Sequence, residues 1–168
     1  MYDTSPHAME SLEEVSKCFI TRCTMSTGEE VSLIAAKLRI LPQAKKDGWA
    51  LSVLQKISET EFYERLADLC NKNKELSFLR DIVFFVRIIS LNGTKQNIKC
   101  LCESGITKLI IDKCVEATDT DLIVDIVIFV SHVLFRDNFL HLPYLRREGL
   151  YTNLIMGLLH TYKCNDHI

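Results

Sequence analysis

Cysteine and histidine side chains are the groups in this sequence with the clearest potential for metal chemistry. They fall into two groups: Cys100, Cys102 and Cys114 in the middle of the chain, and His160, Cys164 and His167 near its end. Zinc sites in proteins use such ligands, but they are usually closed by paired C-x-x-C motifs, which are absent here. Cysteines two positions apart on a helix also point to different sides. We therefore predict no metal site and expect reduced, buried thiols.

Motifs of other chemistries are also absent from the sequence. It contains no phosphate-binding G-x-x-x-x-G-K, no nucleophile-elbow G-x-S-x-G and no metalloprotease H-E-x-x-H. Only six glycines are available for loops that could cradle a cofactor. The adjacent carboxylates Glu13/Glu14 and Glu29/Glu30 are typical of solvated helix faces or of first helical turns. The sequence predicts a protein that is not an enzyme and has no cofactor.

The charge balance argues against nucleic-acid and membrane partners. The chain has 20 basic and 22 acidic residues, a formal net charge of −2, whereas a nucleic-acid binder would carry a basic excess. The basic pairs Lys45-Lys46 and Arg146-Arg147 are the only positive clusters. No apolar run approaches the roughly 18 residues of a membrane span, and the N-terminus lacks the pattern of a signal peptide. We therefore predict an intracellular protein, cytoplasmic or nuclear.

Apolar residues recur at helical spacing along most of the chain. One example runs through Val31, Ile34, Ala35 and Leu38, and Pro42 ends it. No stretch shows the sustained two-residue alternation of a half-buried strand. At 168 residues the chain is long enough for one domain with a continuous core. The pattern predicts an all-α fold.

One hexapeptide occurs twice in the sequence. Residues 81–86 read D-I-V-F-F-V and residues 125–130 read D-I-V-I-F-V, with five of six positions identical at an offset of 44 residues. Other apolar residues keep this offset over three copies: Leu54, Ile98 and Leu142; Ile57, Leu101 and Leu145; Leu66, Ile110 and Leu154. A period of roughly 40–47 residues is typical of helical solenoids. An ordinary helical bundle with accidental similarity is the alternative.

Each unit is predicted to contain three helices, as at about 95–103, 106–117 and 119–135. This order, with G-I-T-K-L-I-I at residues 105–111 and E-G-L at 148–150, resembles the armadillo repeat over about residues 44–163. The resemblance implies a right-handed α-solenoid of armadillo-like three-helix repeats. Its units would be about 8–43, 44–92, 93–137 and an incomplete 138–163, between a lead-in at 1–7 and a tail at 164–168.

In the armadillo family the third helices line a concave groove that holds a peptide or an amphipathic helix. Carried over by position, the resemblance implies a set of partner-binding residues: Asp81, Phe84, Arg87, Ile88, Asp125, Ile128, Ser131 and His132. The other stripe of these helices, Ile82, Phe85, Val86 and Ile89 with its copy 44 residues on, is predicted to form the core. Burial of Phe84, Ile88 and Ile128 in the core as well is an equally good interpretation, because a helix apolar on both sides can lie between neighbours.

The nuclear-import adaptors of this family hold a basic peptide with a Trp and an Asn on the third helix. The corresponding positions here are Phe84 and Ile128 for the Trp, and Ile88 and His132 for the Asn. This departure argues against an import receptor and favours a groove for an amphipathic helix or a leucine-rich peptide.

Two other functions remain open at the level of sequence. An armadillo array would place a third helix after residue 163, so the chain is either part of a longer array or docks through an open C-terminal end. The second possibility predicts a structural subunit that self-associates or joins a larger complex. Residues 139–150, F-L-H-L-P-Y-L-R-R-E-G-L, faintly resemble armadillo-like domains that respond to a small GTPase.

Overall fold

The computed structural model describes residues 12–17, 28–57, 59–116, 118–135, 142–147, 149, 152, 153 and 156. Its helices are α1 (12–17), α2 (Glu29–Arg39), α3 (Gln43–Leu54), α4 (Thr60–Lys72), α5 (Leu76–Asn92), α6 (Lys95–Glu103), α7 (Ile106–Glu116), α8 (Thr120–Phe135) and α9 (Leu142–Arg147). No strand occurs in these ranges, so the predicted all-α class is confirmed. None of the described helices combines the length and apolar character needed to cross a membrane.

Helices α2, α5 and α8 lie side by side, with α5 in the middle. Contacts between α5 and α8 advance in the same direction along both helices, from Arg80–Asp119 to Arg87–Asp125 and Ser90–His132. The two helices are therefore parallel. Each carries a copy of the repeated hexapeptide, and they begin 44 residues apart, at Leu76 and Thr120.

The apolar stripe of the hexapeptide faces the interior. Ile82, Phe85, Val86 and Ile89 are 0% exposed, and their counterparts Ile126, Phe129, Val130 and Val133 are at most 2% exposed. The predicted core positions of both helices are confirmed. Burying a side chain of this size contributes roughly 1.5–3 kcal/mol, so this stripe is a main reason why α5 and α8 pack against the other helices.

Aromatic side chains join α5 to α3 and α4. Trp49 on α3 and Phe62 on α4 both pack against Phe85, with ring centroids 5.8 and 6.5 Å apart. The indole Nε1 of Trp49 also donates to Ser16 Oγ at 2.9 Å, which ties α1 to α3. The only tryptophan is therefore part of the core, where the hydroxyl of Ser16 satisfies its polar atom.

A buried asparagine connects α6 with the end of α3 and with α4. The side chain of Asn97 is 0% exposed, and its Nδ2 lies 3.2, 3.3 and 3.1 Å from Leu54 O, Ile57 O and Tyr63 Oη. Its Oδ1 accepts from the backbone N–H of Thr94 at 2.9 Å, which completes a capping box at the start of α6. One amide thus satisfies polar groups at the end of α3, on α4 and at the start of α6.

Candidate protein-binding face

The row of helices α2, α5 and α8 presents one stripe of side chains away from the core. On α5 the stripe follows three- and four-residue steps through Ser77, Arg80, Phe84, Arg87 and Leu91, of which only Phe84 is buried and forms the floor of the face. On α8 it is Asp121, Val124, Ile128, Ser131 and Phe135, each 44 residues further on. On α2 the corresponding positions are Leu33, Ala36 and Ile40. These three stripes together are called the row face.

Exposed apolar side chains are concentrated on the row face. Of the eight large hydrophobic residues that are exposed in the described part of the chain, five belong to it: Leu33 (46%), Ile40 (42%), Leu91 (48%), Val124 (50%) and Phe135 (69%). Single exposed apolar residues are common on protein surfaces, so the feature that distinguishes the row face is the grouping of five of them.

A charged cleft of about 530 Å³ lies at the N-terminal half of the row face, beside α5 and α8. Its walls carry Arg39, Ser77, Arg80, Asp81, Asp121, Leu122 and Asp125. Arg80 on α5 pairs with Asp119, which also accepts from the backbone N–H of Leu122 at the start of α8. Asp121 is exposed to solvent in this cleft.

The predicted binding residues Asp81 and Asp125 form ion pairs with the preceding helix of the row. Arg39 on α2 donates to Asp81 on α5 at 2.5 Å, and Arg87 on α5 donates to Asp125 on α8. The aspartate that opens each hexapeptide therefore links its helix to the one before it. Both carboxylates still line the charged cleft, since the side chains of Asp81 and Asp125 are 13% and 35% exposed.

A smaller cleft of about 200 Å³ lies between the C-terminal ends of α5 and α8. It is lined by Ser90, Leu91, Ser131, His132 and Phe135. Two of these residues, Ser131 and His132, belong to the predicted binding set. Two exposed apolar side chains, Leu91 and Phe135, give this cleft its apolar character.

Ser90 and His132 form a hydrogen bond that joins α5 to α8. Ser90 Oγ lies 2.8 Å from the carbonyl oxygen of Arg87, to which it donates, and 3.2 Å from the ring Nδ1 of His132. In this arrangement the pair stabilises the contact between the helices.

Phe84 and Ile88 are buried in the core, which is one of the two interpretations that the sequence left open. They are 8% and 5% exposed. The ring of Phe84 is covered by three cationic groups, with the charged ends of Arg39, Lys46 and Arg87 at 4.8, 5.8 and 5.8 Å from its centroid. These residues are buried because α5 packs against α2, α3 and α8.

The remaining predicted residues lie at the centre of the row face. Arg87, Ile128 and Ser131 are half-buried. Ser131 Oγ donates to the carbonyl of Ile128 at 2.7 Å, within its own helix. Arg87 combines two contacts, the ion pair to Asp125 and the packing over Phe84.

The cysteines whose side chains are described are buried thiols. Cys70, Cys100 and Cys102 are not joined in disulfides. Burial raises the pKa of Cys70 and raises that of Cys102 to about 12. Within the part of the chain that the structure describes, no group of three His, Cys, Asp or Glu side chains could hold a metal ion. The side chain of Cys114, and His160, Cys164 and His167, lie outside the described residues.

The most exposed members of the row face differ from the predicted partner-binding residues. Leu33, Ile40, Leu91, Val124 and Phe135 were not among the predicted binding residues. The repeat period contained the signal, because Leu91 and Phe135 are 44 residues apart, as are Arg80 and Val124. What the period alone does not give is the rotation of each helix, and the predicted stripe was turned toward the preceding helix.

Comparison of the chain with protein-family models, with curated proteins and with solved structures gave no match.

Proposed function

We propose that this chain is a non-enzymatic protein-interaction module, built as a right-handed α-solenoid of armadillo-like repeats, that binds a peptide or an amphipathic helix across the row face. The observation that carries the proposal is the clustering of Leu33, Ile40, Leu91, Val124 and Phe135 on this face. The side-by-side packing of α2, α5 and α8 supports the repeat architecture, since successive third helices are neighbours in such an array.

The two clefts suggest the chemistry of the ligand. The charged cleft has three Arg–Asp pairs in or beside it, Arg39–Asp81, Arg80–Asp119 and Arg87–Asp125, and Asp121 adds a further carboxylate. This excess of negative charge favours a lysine or arginine of the ligand at that end. The cleft at the C-terminal ends, next to Leu91 and Phe135, favours an apolar side chain.

The spacing of the clefts sets the length of the ligand. Asp125 and Phe135 are ten residues apart on α8, which corresponds to about 15 Å of helix. A helical ligand covers that distance with about ten residues, and an extended peptide covers it with roughly five. We therefore expect ligands with a basic residue and a large apolar residue separated by one of these two spacings.

A displayed library of random peptides, selected against the full chain, tests this function. Peptides with the basic and apolar pattern should be enriched, and Phe135→Ala should weaken their binding by about tenfold or more, as expected for a central apolar contact. Asp121→Lys should weaken them too, through repulsion of the basic residue.

The matched control is Leu51→Ala, because Leu51 is 62% exposed but lies on α3, outside the row face. Its affinity for the selected peptides should be unchanged. A selection without enrichment, or peptides that bind the Phe135 and Asp121 variants as well as the unaltered chain, would refute the proposed function.

A further inference from the structure

A third cleft, of about 220 Å³, lies where the last turns of α4 and α7 meet the first turns of α5 and α8, and it is called the α4–α7 cleft. The buried part of its lining is apolar, since Leu122 and Cys70 are 1% and 2% exposed. Leu79 is half-buried, and Leu76 is exposed to solvent. These side chains can cover one aliphatic group of a ligand.

Charged side chains of both signs line the rest of the α4–α7 cleft, together with Asn73. Lys74 and Glu75 belong to the connection between α4 and α5, and Lys113 and Glu116 are three residues apart on one side of α7. Among the described residues, none of these four side chains has an ion-pair partner. The cleft therefore offers two positive and two negative groups to a ligand.

Both lysines act on the Cys70 thiol, which lies in the buried part of the cleft. Burial raises the pKa of Cys70, and the ammonium groups of Lys113 and Lys74 act on this pKa in the opposite direction. The effect of a charge on a neighbouring pKa decreases with distance. The two ammonium groups therefore converge on the same part of the cleft, one from α7 and one from the connection that precedes α5.

We propose that the α4–α7 cleft binds a free α-amino acid with an aliphatic side chain, such as leucine. The two lysines bind the carboxylate of this ligand, and the two glutamates bind its ammonium group. Leu76, Leu79 and Leu122 cover its side chain. This small-molecule site is additional to the function proposed for the row face and does not rest on it.

Size and charge both favour this class of ligand. A protein cavity of about 150 Å³ accommodates benzene, so a cleft of about 220 Å³ accommodates a molecule about half as large again, which is the size of leucine. A fatty acid would leave the glutamates without a counter-charge, and a simple amine would leave the lysines without one. An amino acid supplies both charges on one carbon atom, so it matches the two signs of charge in the cleft.

Equilibrium dialysis of the full chain against isotope-labelled leucine, isoleucine and valine measures this binding directly. At least one of them should bind with a dissociation constant of about 1 mM or below. Two analogues of leucine test the match of charges: 4-methylpentanoate lacks the ammonium group, and 3-methylbutylamine lacks the carboxylate. Each should displace labelled leucine at least about tenfold less well than unlabelled leucine does. No binding of the three amino acids, or an analogue that competes as well as leucine, would overturn the proposal.

Two substitutions on α7 test whether the ligand lies in this cleft. Lys113→Gln and Glu116→Gln each remove one charge of the lining, and each should weaken the binding of the amino acid about tenfold. Lys45→Gln is the matched control, because Lys45 is an exposed lysine on α3, outside the cleft, and its affinity should be unchanged. Far-ultraviolet circular dichroism checks that the three variants remain folded. Binding that survives both α7 substitutions would show that the amino acid does not bind in the α4–α7 cleft.

Discussion

The burial of Phe84 separates the core from the binding surface and can be tested directly. If this ring lined an open groove, Phe84→Ala would leave the free energy of unfolding nearly unchanged. The structure instead places it at 8% exposure beneath Arg39, Lys46 and Arg87. We therefore expect this substitution to destabilise the protein.

The magnitude follows from the two kinds of contact that are lost. Truncating a buried phenylalanine to alanine costs about 3–5 kcal/mol. Each cation near a partly exposed aromatic face adds about 0.5 kcal/mol. With three such cations, Phe84→Ala should lower the free energy of unfolding by about 4.5–6.5 kcal/mol. Phe84→Leu, which keeps most of the apolar volume but removes the ring, should lower it by about 1–2 kcal/mol.

Denaturant unfolding followed by the fluorescence of Trp49 is a suitable assay, because this side chain is 3% exposed and packs on Phe85. The midpoint should fall while the slope with denaturant concentration stays the same. Phe135→Ala is the matched comparison, because Phe135 is 69% exposed. The free energy of unfolding of this variant should stay within about 0.5 kcal/mol of that of the unaltered protein. A loss below about 1 kcal/mol for Phe84→Ala would refute the assignment of this residue to the core.

Two further substitutions test buried polar groups. Asn97→Ala should lower the free energy of unfolding by about 3 kcal/mol, because the carbonyls of Leu54 and Ile57 lose a buried donor and the backbone N–H of Thr94 loses its acceptor. In the same unfolding assay, a cost under about 1 kcal/mol would contradict the network. Above pH 9 stability should decrease by up to about 1.4 kcal/mol per pH unit for each thiol such as that of Cys102, whose pKa rises from 9.0 when unfolded to about 12 when folded. The unfolded chain loses this proton first, so the stabilisation is complete below pH 9 and is lost as pH rises through this window. Unfolding curves at a series of alkaline pH values should therefore show a smaller slope for Cys102→Ala, and an identical slope would show that this thiol is not the source.

The repeated hexapeptide illustrates how one short pattern serves two purposes. Its apolar residues, such as Ile82 and Phe85, are buried in the core. Its leading aspartate, Asp81 or Asp125, forms an ion pair with an arginine on the preceding helix of the row. Ion pairs of this partly exposed kind contribute at most about 1 kcal/mol each, so their main effect is to set the register between neighbouring helices.

The sequence by itself determined the helical class and the core stripes of α5 and α8. Both follow from local spacing, because residues three and four positions apart lie on the same side of a helix wherever that helix is placed. The 44-residue offset likewise identified equivalent positions such as Ile82 and Ile126 without any knowledge of their contacts.

Only the tertiary structure decided which of the remaining positions face solvent. Phe84 and Phe135 are both aromatic residues on the repeated helices, yet one is 8% and the other 69% exposed. The difference arises because α5 is enclosed by α2 and α8, whereas Phe135 lies at the C-terminal end of α8. Side-chain exposure depends on the number and direction of neighbouring helices, and long-range packing of this kind leaves no signature in the spacing of a single helix.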